Sequence, residues 1–191
     1  MNIANKLTTL RVLLVFVFMG VIWLPLNLSM TTMLWIALAI FVIASLTDFL
    51  DGYLARKLNL VTNLGKFMDP LADKMLVTCA MLAIIDLGSR GLPAGVLPTW
   101  IVAIILLREF MVSGIRLVAA NDKKVIAANY LGKVKTVVQM AMIIVYLIPI
   151  QNTFIATLAI ILAYAALILT VVSGGQYLWQ NKHVLTSSQD V

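Results

Sequence analysis

Six apolar runs, at about 9–26, 32–50, 70–87, 95–118, 133–150 and 153–173, leave this chain of 191 residues little choice of fold. Alone or with a modest extension, each supplies the roughly 20 residues that carry a helix across a bilayer. Within lipid every backbone N–H and C=O must be paired inside the protein, and a helix does this by itself. Mean hydropathy of +1.04 agrees. So does a charged fraction of 12%, far below the roughly 25% of soluble domains. The expectation is an all-α integral membrane protein of six transmembrane helices. No linker or low-complexity run interrupts it, so 1–191 is expected to be one membrane domain. The stretches "LPLNLSM", "DLGSRGLPAGVLP" and "IPIQN" hold the turn-forming residues and share one side. Ahead of the first run, "MNIANKLTTLR" has Ile3, Leu7 and Leu10 at helical spacing, which predicts a short N-terminal interfacial helix. The first run lacks a small-x-small cleavage site after it, so it reads as a retained span.

The basic residues orient the chain. Lys6 and Arg11 open the first run, and Arg56, Lys57, Lys66 and Lys74 surround the second turn. Arg116, Lys123, Lys124, Lys133 and Lys135 surround the fourth turn, and Lys182 is in the tail. With Arg108, 13 of 14 basic residues fall on one side, and only Arg90 lies opposite. The positive-inside rule puts both termini and the turns near 51–69 and 119–132 in the cytoplasm, with the chain a multi-pass protein of the plasma membrane. The net charge of +6 therefore reflects membrane boundaries, and nucleic acid is not expected as a partner. Trp23, Trp35, Trp100 and Trp179 fall near span ends, as interface anchors do. Cys79 stands alone in an apolar run and His183 alone in the polar tail; neither is assigned a role.

Against this background the stretch "TDFLDGYLARKLNLVTNLGKFMDPLADK", residues 47–74, is out of place. It holds Asp48, Asp51, Asp69 and Asp73, half of the eight acidic residues of the chain. On a helix, residues three or four apart differ by about 60° or 40° around the axis and by roughly 5–6 Å along it. Asp48 and Asp51 therefore share one face of the second helix, and Asp69 and Asp73 one face of the third. The turn between the helices allows the two faces to oppose each other. An aspartate at the centre of a membrane helix costs about 2.5–3.5 kcal/mol on insertion scales, and neighbouring carboxylates disfavour one another's ionisation. Divalent cations relieve both penalties. An all-oxygen cluster with the histidine remote selects Mg²⁺ or Mn²⁺ over Zn²⁺ or copper. Four carboxylates suffice for two ions, and paired metals about 4 Å apart are a recurring device of phosphoryl transfer. One aspartate alone would read as a cap or a partner of Arg56, Lys57, Lys66 or Lys74; four at this spacing read as a functional cluster.

Gly52 and Ala55 lie beside the carboxylates, and Gly65 near the next helix, where small side chains let a ligand or helix approach the backbone. Asp69-Pro70 reads as a helix start, with aspartate as the cap and proline first in the helix. A second polar set lies in "LLREFMVSGIRLVAANDKKVIAANYLGKVKTVVQM". Glu109 and Arg116, seven apart, share a helix face, and Arg108 lies about 80° from Arg116. Lys133 and Lys135, two apart, point to nearly opposite sides, so only one of them is expected to reach a given ligand. The functional reading is an anion pocket suited to phosphate. Snorkelling toward lipid headgroups is the competing account for Lys123, Lys124 and one of Lys133 and Lys135.

The pattern Asp48-x2-Asp51-Gly52-x2-Ala55-Arg56-x8-Gly65-x3-Asp69-x3-Asp73 resembles, position by position, the signature of the CDP-alcohol phosphotransferases. "LTTLRV", "REFMVSGIR" and "GKVKTVVQM" are similar to a bacterial branch of that family that uses glycerol 3-phosphate, so the likeness covers nearly the whole chain. It implies transfer of the phosphatidyl group from CDP-diacylglycerol to glycerol 3-phosphate at the cytoplasmic membrane face, giving CMP and phosphatidylglycerol phosphate. It also implies that Asp48, Asp51 and Asp69 are ligands of a dinuclear Mg²⁺ or Mn²⁺ site, with Asp73 a further ligand and the general base. Gly52, Ala55, Arg56 and Gly65 would lie against the cytidine and diphosphate, with Thr8 on the nucleotide side. Arg11, Arg108, Arg116, Lys133 and Lys135 would face the acceptor phosphate. Membrane lipids are implied partners, and a homodimer the implied assembly.

Ligation and base catalysis pull against each other at Asp73, because a bound cation lowers a carboxylate's basicity; a free oxygen or a loose contact would be needed. Within the family, a cardiolipin-forming or inositol-phosphate enzyme is the nearest alternative. From another class, carboxylates in a membrane could serve a divalent-cation transporter. That reading predicts acidic residues on several spans, whereas the outer turns here are almost uncharged.

Overall fold

A computed structural model describes the backbone of residues 3–58, 63–121 and 130–180, and the side chains of 9–47, 74–116 and 130–180. Six α-helices are found among the described residues: α1 Ile3–Trp23, α2 Met30–Leu58, α3 Asn63–Ser89, α4 Thr99–Asn121, α5 Tyr130–Leu147 and α6 Thr153–Gln180. No strand is found among them. Among the described residues, three helices are long and apolar enough to cross a membrane, over Met30–Thr47, Tyr130–Leu147 and Thr153–Gln180. The described apolar part of α1 is shorter, Thr9–Trp23. α4 carries Arg108, Glu109 and Arg116 within its apolar sequence.

Two expectations are corrected. The N-terminal segment is not a separate interfacial helix, because α1 runs unbroken from Ile3 into the first apolar run. α3 does not start at Asp69-Pro70 but at Asn63, leaving Pro70 eighth in the helix. There its ring nitrogen offers no N–H to the carbonyl of Lys66, a loss that membrane helices accommodate. A cap signature is local, and the backbone had already become helical upstream of it.

The connections follow from short-range chemistry. Asn27 takes a positive φ of 51° in the first turn, and Ser29 Oγ then accepts the Thr32 N–H at 3.2 Å, capping α2. α3 ends in a Schellman arrangement, with Leu92 N–H on the Leu87 carbonyl at 3.1 Å and Gly91 N–H on that of Gly88 at 3.4 Å. Gly91 sits at φ 90°, where an L side chain would be strained. Asn152 Oδ1 accepts the Phe154 N–H at 2.8 Å and caps α6.

The chain divides into two compact units. The first comprises Met1–Val96 with Ile143–Ala156. In it α1 packs on α2 and α3, and α2 touches α3. α1 buries Arg11, Val15, Phe18 and Ile22, spaced four, three and four. α2 buries Leu34, Ala37, Phe41 and Ala44, and α3 buries Leu76, Ala80, Ala83 and Leu87. This repeat keeps one stripe of each helix facing its neighbours, and the alanines let backbones approach where lipid supplies no hydrophobic drive. At the end of α1, Trp23 Nε1 donates to Asp86 Oδ2 at 2.9 Å, and Arg90 donates to the same oxygen at 2.5 Å and to the Ile22 carbonyl at 3.4 Å.

The second unit comprises Leu97–Met142 with Thr157–Val191. Its α4 buries Ile101, Ile105, Val112 and Ile115. Its part of α6 buries Ala159, Ala163, Ala166, Thr170, Ser173, Gly174 and Tyr177. In both units the remaining faces are apolar but exposed, as at Leu13, Phe16 and Ile43 in the first and Leu107, Phe110 and Ile168 in the second. Large apolar surfaces of this kind suit lipid.

Candidate active site

The four aspartates lie on continuous helical backbone, Asp48 and Asp51 in α2 and Asp69 and Asp73 in α3. Both helices extend past the apolar runs that announced them, α2 to Leu58 and α3 back to Asn63, and so include all four positions. The spacings of three and four residues are therefore helical spacings, placing the members of a pair about 4.5 and 6 Å apart along the axis. The side chains of Asp48, Asp51, Gly52, Ala55, Arg56, Gly65, Asp69 and Asp73 lie outside those described, as does that of Thr8.

Arg11 is described, and it is 1% exposed. It continues the packed stripe of α1 one turn before Val15, so a guanidinium occupies a position where the helix otherwise places apolar side chains. Removing an ion from water is expensive unless a counter-charge or polar groups compensate it, and Arg11 is not without a partner in the structure.

The second unit draws two of the remaining cations together. Glu109 of α4 receives Arg108 Nη1 on Oε1 at 3.2 Å, and Lys135 Nζ of α5 bonds to the same oxygen. Lys135 is 4% exposed. Arg108 Nη2 reaches Ser173 Oγ of α6 at 3.0 Å. Two cations on one carboxylate leave the cluster with a net charge of +1. Arg108 Nε is buried and has no hydrogen-bond partner among the described residues. Gln139, one turn beyond Lys135 on α5, is also buried. A buried group with surplus positive charge and an unused donor is chemically matched to an anion.

The other two basic residues are arranged differently. Arg116 is exposed and places its guanidinium carbon 5.6 Å from the centre of the buried Tyr177 ring, a cation–π contact. Lys133 is exposed, on a different side of α5 from Lys135. Glu109 pairs with its neighbour Arg108 and with Lys135 across helices.

Sequence reasoning did not single out Gln139, Ser173, Gly174 or Tyr177. Gln139 had a visible signal, a polar residue one helical turn after Lys135 in an apolar segment. "SGGQY" near the end of α6 is likewise polar and small within a strongly apolar helix. Nothing local shows that Arg108, 65 residues earlier, would lie against it.

A family model described as CDP-alcohol phosphatidyltransferase matches residues 1–172. A CDP-diacylglycerol–glycerol-3-phosphate 3-phosphatidyltransferase of Bacillus subtilis is 38% identical over an alignment 200 positions long, covering 98% of both chains. Proteins of the same name from Haemophilus influenzae and Rickettsia felis are 38% and 34% identical, covering 93% and 92% of this chain and 91% and 93% of theirs.

Proposed function

Because the chain belongs to the CDP-alcohol phosphatidyltransferase family, we propose that it transfers the phosphatidyl group of CDP-diacylglycerol to sn-glycerol 3-phosphate. The products are phosphatidylglycerol phosphate and CMP, a step of phospholipid biosynthesis. Near-full-length likeness to relatives named for this activity supports the reaction. One observation carries the choice of acceptor: the buried Arg108–Glu109–Lys135 cluster has surplus positive charge inside apolar helices, which suits a phosphorylated alcohol better than a neutral one.

The donor set of Asp48, Asp51, Asp69 and Asp73 is all oxygen, and its two pairs sit at helical spacing on α2 and α3, which fits hard divalent cations. When bound, two Mg²⁺ or Mn²⁺ ions would neutralise the diphosphate and favour departure of CMP. Asp73 accepts the proton of the primary hydroxyl of glycerol 3-phosphate as that oxygen bonds to the β-phosphorus and the bond from this phosphorus to CMP breaks. For this it needs a carboxylate oxygen not fully engaged in ligation. Gly52, Ala55, Arg56, Gly65 and Thr8 serve the nucleotide and diphosphate. Arg11, Arg108, Arg116 and Lys135 hold the acceptor phosphate, and the exposed Lys133 turns toward lipid headgroups. The whole chain acts as one membrane domain with six spans in the bacterial plasma membrane, its reaction and termini on the cytoplasmic side, and works as a homodimer.

The test supplies purified protein with CDP-diacylglycerol, Mn²⁺ and, in turn, glycerol 3-phosphate, inositol phosphate, serine and phosphatidylglycerol. CMP release with glycerol 3-phosphate alone is expected. Release with phosphatidylglycerol or inositol phosphate but not with glycerol 3-phosphate would transfer the chain to another branch of the family.

A further inference from the structure

We infer that one turn of α6, formed by Ser173, Gly174 and Tyr177, is a seat that pre-positions both α4 arginines, and that these three are positioning residues for the acceptor phosphate. The inference rests on the reading of Arg108 and Arg116 as acceptor-side ligands and concerns how they are held.

Three contacts support it. Ser173 donates its hydroxyl proton to the Thr170 carbonyl at 3.3 Å, which leaves its oxygen lone pairs for Arg108 Nη2 at 3.0 Å. At Gly174 a Cβ would stand 2.9 Å from Cγ of Arg108 and 3.4 Å from its Nε. The arginine stem therefore lies directly on the α6 backbone, in a space that only glycine leaves open. One turn further, the Tyr177 ring is 3% exposed and lies under the Arg116 guanidinium.

Ser173 and Gly174 lie four and three residues before Tyr177, so they flank the face that carries its ring. Together the three touch Arg108 through a hydrogen bond and close packing, and Arg116 through a ring. Glu109 fixes the Nη1 end of Arg108, so this guanidinium is held at both Nη atoms before any ligand arrives. A pre-set fork loses less rotamer freedom on meeting a phosphate than a free arginine does. A defect in the seat should accordingly weaken capture of the phosphorylated acceptor and leave the lipid nucleotide alone.

Steady-state kinetics of the full-length protein, with each substrate varied separately, test this. Gly174→Ala should raise KM for glycerol 3-phosphate about tenfold, the effect of losing one charge-assisted hydrogen bond, with KM for CDP-diacylglycerol unchanged. Tyr177→Leu should raise it about threefold, and Tyr177→Phe, which keeps the ring, should recover the low KM. Arg108→Ala and Arg116→Ala, measured alongside, report on the underlying assignment. If the arginine variants raise KM for glycerol 3-phosphate while Gly174→Ala and Tyr177→Leu do not, the seat is refuted and the assignment stands. If the arginine variants raise KM for CDP-diacylglycerol instead, the assignment fails and the seat with it. A fall in kcat with both KM values unchanged would reduce the three residues to ordinary packing and refute the inference. Should Gly174→Ala fail to fold, Ser173→Ala adds no bulk and takes its place, and an unaltered KM for glycerol 3-phosphate in it would refute the seat.

Discussion

Glu109 is the residue on which the described site turns. Its carboxylate is shared by Arg108 and Lys135, and its side chain is 17% exposed. Both cations sit among apolar helices, and breaking a buried pair leaves the unpaired charge to be desolvated, at about 3–5 kcal/mol. Glu109→Gln should therefore lower the thermal midpoint of the purified protein markedly, measured by unfolding in detergent. A midpoint equal to wild type would mean that the carboxylate does not neutralise the cluster. Lys133 offers the contrast, since it is exposed only two residues from the buried Lys135. That the two point differently was legible from helical geometry, but which of them is buried depends on where α5 meets Glu109, a contact 26 residues distant.

The helices were largely legible in the sequence, and their ends less so. The runs at 32–50 and 70–87 give out toward the polar stretch between them, because hydropathy measures partition into lipid and not backbone conformation. Intrahelical hydrogen bonds do not require apolar side chains, so α2 continues to Leu58 and α3 begins at Asn63. Asp69-Pro70 misled for the same reason that it is informative elsewhere, since its cap chemistry is real but does not exclude an earlier start. The role of "SGGQY" in α6 stayed hidden because its partner lies on α4. At the far end of the first unit, Asp86 ties Trp23 of α1 to Arg90 just beyond α3. The Asp86–Arg90 pair is partly exposed, so it and the indole hydrogen bond together contribute about 1 kcal/mol. Asp86→Ala should lower the thermal midpoint by a few degrees and leave CMP release at the wild-type rate. Loss of activity at full stability would instead give this end of the unit a role in the reaction.

For the whole molecule, the asymmetry of basic residues makes an orientation testable. In a Cys79→Ala background, Asn27→Cys should react with a membrane-impermeant maleimide in cells whose plasma membrane is intact, and Ser187→Cys only after that membrane is permeabilised. The reverse pattern would put the aspartates on the wrong side for a cytoplasmic nucleotide. The central claim is that the aspartates of α2 and α3 support transfer from CDP-diacylglycerol to glycerol 3-phosphate. Its most direct test is mass spectrometry of the lipid product formed by purified protein with both substrates and Mn²⁺, compared with Asp69→Asn. The account predicts phosphatidylglycerol phosphate and CMP in equal amounts from the wild type and neither from the membrane-inserted variant. Wild-type turnover by Asp69→Asn, or CMP released without the phosphorylated lipid, would contradict it.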